Sequence, residues 1–213
     1  MYEPAHFKVD DPARLHKVMA EHPLALLASF GAQGLLANLI PFTLHADMGA
    51  RGVLRAHVAR ANPQWRDIGE GAVVLVVFQG VERYVSPSLY ATKQEHGKVV
   101  PTWNYVMVQA RGTAHIHEQS GWLHPQITRL THEQESHQTA PWAVGDAPQN
   151  FIVAQMAAIV GIEIEITDLR GKFKVSQNRP AQDRASVLDG LEASGCDDDM
   201  VMAQLLRQAQ ARA

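Results

Sequence analysis

Alternation of apolar and polar residues with period two is the feature that most restricts how this chain can fold. It is cleanest in IEIEIT (162–167), where isoleucines share one face and polar residues the other. A longer alternating segment is NYVMVQARGTAHIH (104–117). Further strand-like segments are LALLASF (24–30), LLANLIPFTLH (35–45), VLRAHV (53–58), AVVLVVF (72–78) and VERYVSPS (81–88). Six or seven strands in series, with few helices between them, predict an antiparallel barrel that carries helices on its outside.

Helical patterns lie mostly at the two ends of the chain and between the last strands. The predicted helical segments are 10–22, a short helix opening at 62–65, 119–138, 149–160 and a C-terminal segment of about 180–212. Pro12 stands at the first helical position of the N-terminal helix, and Pro125 falls where it could break a first turn. No repeat or linker interrupts the chain, so we expect a single domain, 1–213.

Composition excludes several classes of protein. The 213 residues carry a formal net charge of −3, and their bases are scattered, so the chain lacks the electrostatic footprint of a dedicated DNA-binding domain. The longest apolar run, 72–78, is too short to cross a bilayer, and the N-terminus has no apolar signal-peptide region. A single cysteine, Cys196, rules out a disulfide framework and favours a cytoplasmic setting.

Three groups of polar and aromatic residues could carry chemistry. In AHVARANPQW (56–65), Arg60 precedes a helix N-terminus that begins at Asn62. An arginine beside free backbone N–H groups can hold a phosphate, but a solvated turn capped by Asn62 explains the pattern as well. The segment 84–105 concentrates Tyr84, Tyr90, Trp103 and Tyr105. These rings need something flat to pack on: a planar ligand, a partner subunit or the end of the barrel.

The third group is GKFKVSQNRPAQDR (171–184). Alternation turns Lys172, Lys174 and Ser176 to one face, and Phe173 and Val175 to the other. Two ammonium groups and a hydroxyl on one strand face indicate the edge of an anion-binding site. The structural alternative is an exposed edge strand protected by lysines.

Metal and nucleotide motifs are absent from the sequence. His115 and His117 share a strand face, but no third ligand follows at a diagnostic spacing, so we predict no metal site. The chain has no Walker loop, G-x-G-x-x-G fingerprint or G-x-S-x-G elbow. Catalytic residues are therefore unknown at this level.

Taken together, five motifs resemble one family. MYEPAHF, AHVARANPQW, YVSPSLYATK, VPTWNY and GKFKVSQNRPAQDR stand in the order and spacing of PaiB-like proteins, described as FMN-binding negative transcriptional regulators. The resemblance covers about residues 1–195. It implies a mainly β fold with added helices, the FMN-binding split β-barrel of the flavin-reductase and pyridoxamine-phosphate-oxidase type. It also implies a homodimer that holds FMN in clefts between its subunits.

The resemblance also assigns residues to the cofactor. Arg60 and Asn62 match the position that contacts the phosphate in related split barrels, and Thr102, Trp103 and Asn104 match a loop that runs to the ring or to the partner subunit. The residues of the late motif that should approach the ring or the phosphate are Lys172, Lys174, Ser176, Gln177, Asn178 and Arg179. Leu89 stands where the family pattern leads us to expect a second aromatic.

Three functions remain open at this stage. The resemblance favours a regulator in which flavin is a ligand or redox sensor, with a second copy and DNA as partners. A flavin-dependent oxidoreductase using NAD(P)H is the alternative, and His57 and Tyr90 are its nearest acid–base candidates. The third is a haem-binding split barrel, because related barrels bind haem and the chain has 11 histidines.

Overall fold

The computed structural model describes residues 1–32, 34–69 and 71–211. The strands in these ranges are β1 Lys8–Val9, β2 Leu24–Gly31, β3 Gly34–Pro41, β4 Thr43–His45, β5 Val53–Ala59, β6 Val73–Val85, β7 Thr102–His117 and β8 Ile159–Lys174. The helices are α1 Pro12–Glu21, α2 Gln64–Ile68, α3 Lys93–His96, α4 Ser120–Glu135, α5 Gln149–Ala157, α6 Ala181–Ala193 and α7 Asp197–Gln210.

The strands form one sheet in the order β3-β2-β6-β7-β8-β5-β4, and β1 pairs with β8 beside this path. The registered pairs β1–β8, β2–β3, β2–β6, β4–β5 and β5–β8 are all antiparallel. The predicted antiparallel architecture with added helices is therefore confirmed. Its hydrogen-bonded order is open, with β3 and β4 at the edges.

Two strands are longer than the sequence pattern predicts. Residues 72–78 and 81–88 were expected as separate strands, but β6 runs from Val73 to Val85. Likewise, 162–167 and the lysine motif belong to the single strand β8. The edge-strand interpretation of the lysine motif is wrong, because β8 lies between β7 and β5, and Lys172 pairs with Lys8 of β1.

Other boundaries also differ from the predictions. The segment 35–45 breaks at Phe42 into β3 and β4. Pro125 lies inside α4 without ending it. The helix predicted over 149–160 stops at Ala157, because β8 begins at Ile159.

The chain comprises two compact units, and strands β6, β7 and β8 contribute residues to both. The first unit contains Met1–Asp11, Gln79–Val108 and Arg170–Ala213, and the second contains Pro12–Phe78 and Gln109–Leu169. The single-domain assignment stays a prediction.

In the second unit, a fully buried side chain fixes α2 on the sheet. Gln64 Nε2 donates to the carbonyl of Leu27 at 3.1 Å and to Ser29 Oγ at 3.0 Å, while Gln64 Oε1 accepts from Asn38 Nδ2 at 2.9 Å. Every polar atom of this amide is thus satisfied, as burial requires. The arrangement fixes the start of the helix that follows Arg60 and Asn62.

In the first unit, the C-terminal helices pack on the ends of β6 and β8. The core residues of this cluster are Val85, Tyr90, Val175, Val187, Leu191, Met202, Ala203 and Leu206. Asp183 at the start of α6 accepts from the backbone N–H and the hydroxyl of Thr92, both at 2.9 Å. These contacts hold the segment that follows β8.

Candidate functional site

Three cationic side chains of the first unit gather where β8 ends. Lys172 and Lys174 alternate onto one face of β8, and Arg179 follows in the turn. Lys172 is only 8% exposed, and its Nζ lies 5.3 Å from the ring centre of Tyr105 and 5.4 Å from that of Tyr2. Lys174 Nζ lies 5.9 Å from the same Tyr105 ring. Since one ring contacts both ammonium groups, Tyr105 shares their face of the sheet.

The cluster carries positive charge that the first unit does not neutralise. Burial lowers the pKa of Lys174, and the charges of Lys172 and Arg179 lower it further. Among the described residues, no carboxylate forms an ion pair with any of these three side chains. Buried or half-buried cations without a counter-charge are expensive unless an anion joins them. The geometry therefore indicates an anion site.

Lys174 is also held by β7. Its Nζ donates to Thr102 Oγ1 and to the carbonyl oxygen of Trp103. The structure thus brings three predicted residues together, with Thr102 and Trp103 orienting the amine.

Three other predicted residues support the turn. Ser176 adopts φ 64°, and within the described ranges it is the only residue other than glycine with positive φ. Its hydroxyl accepts from Asn104 Nδ2 at 2.9 Å, and both groups are buried. Gln177 Oε1 accepts from the backbone N–H of Val175 at 2.7 Å, and Nε2 of the same amide donates to the carbonyl of Phe173. These side chains therefore shape the loop, and Asn178 is exposed.

The turn positions Arg179 beside the core. The Arg179 backbone N–H donates to the carbonyl of Ser176 at 3.0 Å, and its guanidinium lies 4.7 Å over the ring of Tyr90. Tyr90 itself is buried in the hydrophobic cluster. Of the alternatives for this aromatic, packing in the core is the one observed.

Exposed aromatic rings lie beside the cations. Tyr84 and Trp103 meet edge to face with ring centres 5.7 Å apart, and each is 51% exposed. Trp103 and Tyr105 alternate onto the same face of β7, the face that Tyr105 shares with the lysines. Tyr84, Tyr105 and Tyr2 were not among the residues assigned to the site. The period-two spacing of Trp103 and Tyr105 was the signal that could have added Tyr105, but nothing local connects Tyr2 to Lys172.

Arg60 and Asn62 lie in the second unit, where both have structural partners. The Arg60 guanidinium contacts the carboxylate of Glu118 and donates to the carbonyls of Ala157 at 2.9 Å and Ile159 at 3.2 Å. Asn62 Oδ1 accepts from the backbone N–H of Gln64 at 3.0 Å, as a helix-capping residue does. The cofactor role of both residues stays a prediction.

Burial disfavours the charged form of both acid–base candidates. Burial lowers the pKa of His57. Burial likewise raises the pKa of the Tyr90 phenol, and that side chain is 2% exposed. The Tyr90 phenol is thus closed to solvent, and no catalytic residue is assigned.

A surface groove of the second unit differs from the cation cluster in its charge balance. It has a volume of about 790 Å³ and lies between α1 and α4 over Phe42 and Leu44. Its charged side chains pair within each helix: Lys17 with Glu21 at 3.7 Å, and Arg129 with Glu133 at 2.7 Å. The groove therefore has no unsatisfied charge that specifies a ligand.

The described ranges contain neither a metal-binding cluster nor a membrane-spanning helix. No group of three or more histidine, cysteine or acidic residues there could hold a metal ion. No helix in the same ranges is long and apolar enough to span a membrane.

Comparison with known proteins identifies the family. Residues 1–168 match the family model described as "Putative FMN-binding domain". The chain is a member of this PaiB-like FMN-binding family. The resemblance seen in the sequence motifs is thereby confirmed, and FMN is the cofactor that membership implies.

Relatives cover the PaiB-like chain almost end to end. A protein of Bacillus subtilis named protease synthase and sporulation protein PAI 2 is 29% identical over 211 residues, covering 97% of this chain and 96% of the relative. An uncharacterized protein of Emericella nidulans is 34% identical and covers 91% of each chain.

The fold is that of the split β-barrel flavoproteins. The solved structure of the FAD and haem binding protein from Mycobacterium smegmatis matches with a TM-score of 0.54, covering 78% of this chain and 73% of that chain at 18% identity. At this identity the likeness shows the fold alone. The predicted split-barrel fold with added helices is confirmed, and the homodimer stays a prediction.

Proposed function

We propose that this chain is a cytoplasmic, homodimeric regulatory protein of the PaiB type, in which FMN is a ligand or redox sensor. The observation that carries the proposal is the cluster of Lys172, Lys174 and Arg179. These three cations have no carboxylate partner among the described residues, and they lie beside exposed aromatic rings. A single free cysteine is consistent with a reducing compartment.

The residues fit the chemistry of FMN. Its phosphate is a small dianion, and its ring system is flat and largely apolar. Lys172, Lys174 and Arg179 would hold the phosphate, while Trp103 and Tyr105 would provide a flat wall. Bound FMN supplies a redox centre. The chain's own contribution is to concentrate positive charge, to orient Lys174 through Thr102 and Trp103, and to keep the turn of Ser176 rigid.

Titration of the apoprotein with FMN, followed by loss of flavin fluorescence, tests this placement. We expect Arg179→Gln and Lys174→Gln to weaken binding by about tenfold or more each, because a hydrogen bond to a charged group contributes about 1.5–3 kcal/mol. Lys93→Gln, an exposed lysine of the same unit, is the matched control and should bind FMN like the parent protein. Equal affinities for all variants would refute the assignment.

The regulatory part of the proposal is supported by the name of the Bacillus subtilis relative, a protease synthase and sporulation protein. Regulation by flavin requires that FMN bind one conformational state of the protein more tightly than another. Direct DNA binding has no support from charge, because the chain carries a net charge of −3. A gel-shift assay at low salt, where electrostatic attraction is strongest, tests it, and no shift there would remove DNA as a direct partner.

An apolar sheet face supports the homodimer. Outward-facing residues of β2 and β3 pair with one another as Leu26–Leu39 and Phe30–Leu35. Phe30 is 74% exposed and Leu35 82%, and Leu24, Leu39 and Val73 are also exposed. Neither strand contains a charged residue. A contiguous uncharged patch of this kind is unusual on a monomer, and a second copy of the same face would cover it symmetrically.

A further inference from the structure

We propose that Lys174 is a nucleophilic lysine and the site of covalent acylation by acyl phosphates, small anions that the cation cluster attracts. Nothing in the family assignment concerns covalent modification. The reactivity follows from the arrangement of the first unit alone. Its consequence for flavin binding rests on the proposed function.

Two acceptors orient the amine. Thr102 Oγ1 and the carbonyl oxygen of Trp103 each receive an N–H of Lys174 Nζ. A neutral amine has two N–H bonds, so these acceptors use both and leave its lone pair directed away from β7. The nucleophilic electron pair is thus positioned and is not engaged with the strand.

The neighbouring charges favour both the neutral amine and an anionic reagent. Burial lowers the pKa of Lys174, and the charges of Lys172 and Arg179 lower it further, so more of the amine is unprotonated than on a surface lysine. The same two cations attract a phosphate-bearing electrophile and stabilise phosphate as it departs. No acceptor in the described part of the chain orients the Lys172 ammonium, which lies 5.4 Å from the ring centre of Tyr2 and 5.3 Å from that of Tyr105.

Acylation of Lys174 by an acyl phosphate needs no cofactor. The Lys174 lone pair attacks the carbonyl carbon of the acyl phosphate and forms an N–C bond. The C–O bond to phosphate breaks, phosphate leaves with the electron pair, and the nitrogen releases a proton to water. The product is an uncharged amide, which removes one of the three cations and should weaken FMN binding.

The test is site-resolved acetylation of the flavin-free full-length protein by acetyl phosphate, with initial rates measured by peptide mass spectrometry. Lys93 and Lys98 are exposed lysines of the same unit and serve as internal references. We expect Lys174 to react faster than either, because its lowered pKa raises the neutral fraction of the amine and the neighbouring cations attract the anionic reagent. A Lys174 rate equal to or below the reference rates would overturn the proposal, and this comparison requires no variant.

A neutral acylating reagent separates the nucleophilicity of Lys174 from the attraction that the cation cluster exerts on an anionic reagent. Arg179→Gln should slow acetylation of Lys174 by acetyl phosphate severalfold more than acetylation by N-hydroxysuccinimidyl acetate. An equal effect on both reagents would refute the role of the cluster in recognising anions. Adding FMN to the parent protein should protect Lys174. Fast acetylation without protection would support the modification site and contradict the proposed placement of FMN.

Discussion

Ser176 is the residue on which the turn after β8 depends. A side chain other than glycine at φ 64° costs about 1–2 kcal/mol, and here the buried hydrogen bonds with Asn104 hold the conformation. We expect Ser176→Ala to lower the free energy of unfolding by about 1–3 kcal/mol, because the Asn104 amide loses its partner while the backbone strain remains. Ser176→Gly should lower it less, because glycine adopts positive φ freely.

Urea unfolding of the two variants separates the contribution of the Asn104 hydrogen bonds from that of the backbone strain at Ser176. A Ser176→Gly protein that is no more stable than Ser176→Ala would show that strain at this position is negligible.

His45 makes stability depend on pH. Arg129 Nη1 can only donate, so His45 Nδ1 accepts its hydrogen bond at 2.9 Å in the neutral ring. Burial, followed by the charges of Arg129 and Arg55, lowers the pKa of His45 from 6.5 to about 4, against smaller opposing effects of Asp47 and Glu163.

Between pH 6.5 and 4 the unfolded chain therefore binds the proton and the folded chain does not, so stability falls as pH falls through this window. Chemical unfolding at several pH values should show a smaller loss for His45→Gln than for the parent protein. His137→Gln, an exposed histidine, is the control. An identical pH profile for the parent and His45→Gln would contradict this account.

At the level of single residues, the sequence predicted part of the candidate site. Alternation correctly assigned Lys172 and Lys174 to one face, because that inference needs only the geometry of a strand. It could not show that Asn104, Ser176 and Gln177 support the loop, since their partners are set by tertiary packing. The ion pair of Arg60 with Glu118, 58 residues later, was equally invisible.

The contact between α4 and β8 requires a glycine at position 161. A Cβ atom added at Gly161 would lie 2.2 Å from the ring of Trp122, which also stacks on His117 with ring centres 4.4 Å apart. We expect Gly161→Ala to destabilise the protein by about 1–3 kcal/mol, the usual effect of overpacking.

The destabilisation should be much smaller in a Trp122→Ala background, because the clashing ring is then absent. A double-mutant cycle by urea unfolding measures the coupling. Additive effects of the two substitutions would mean that the ring is not what Gly161 accommodates.

Long strands were the hardest elements to predict. The first part of β8 pairs with β5 from Ile159 to Glu165, and its end pairs with β1 at Gly171 and Lys172. Because the partner strand changes along the length of β8, the pattern of burial changes as well. Residues 167–170, which lie between the two paired segments, are half-buried or exposed. The period-two pattern of the sequence therefore predicted two strands where β8 is one, and it made the same error for β6.

For the whole molecule, the apolar face of β2 and β3 predicts a dimer. Leu35→Lys with Leu39→Lys should yield a monomer, because two buried ammonium groups would have no partner in the interface. The matched control is Val153→Lys, an exposed apolar residue of α5, which should leave the mass unchanged.

Light scattering coupled to size-exclusion chromatography gives the mass directly. A parent protein that is monomeric at micromolar concentration, or a double variant that remains dimeric, would contradict the proposed interface.

We propose that the cation cluster of the first unit holds FMN. The most direct test is the visible spectrum of freshly purified protein, with the flavin released by heat and identified. We expect a yellow protein with about one FMN per subunit, and a colourless Lys172→Gln, Lys174→Gln variant that remains folded. A colourless parent protein that also fails to bind added FMN would contradict the claim, and a haem absorption band in its place would favour the haem-binding alternative.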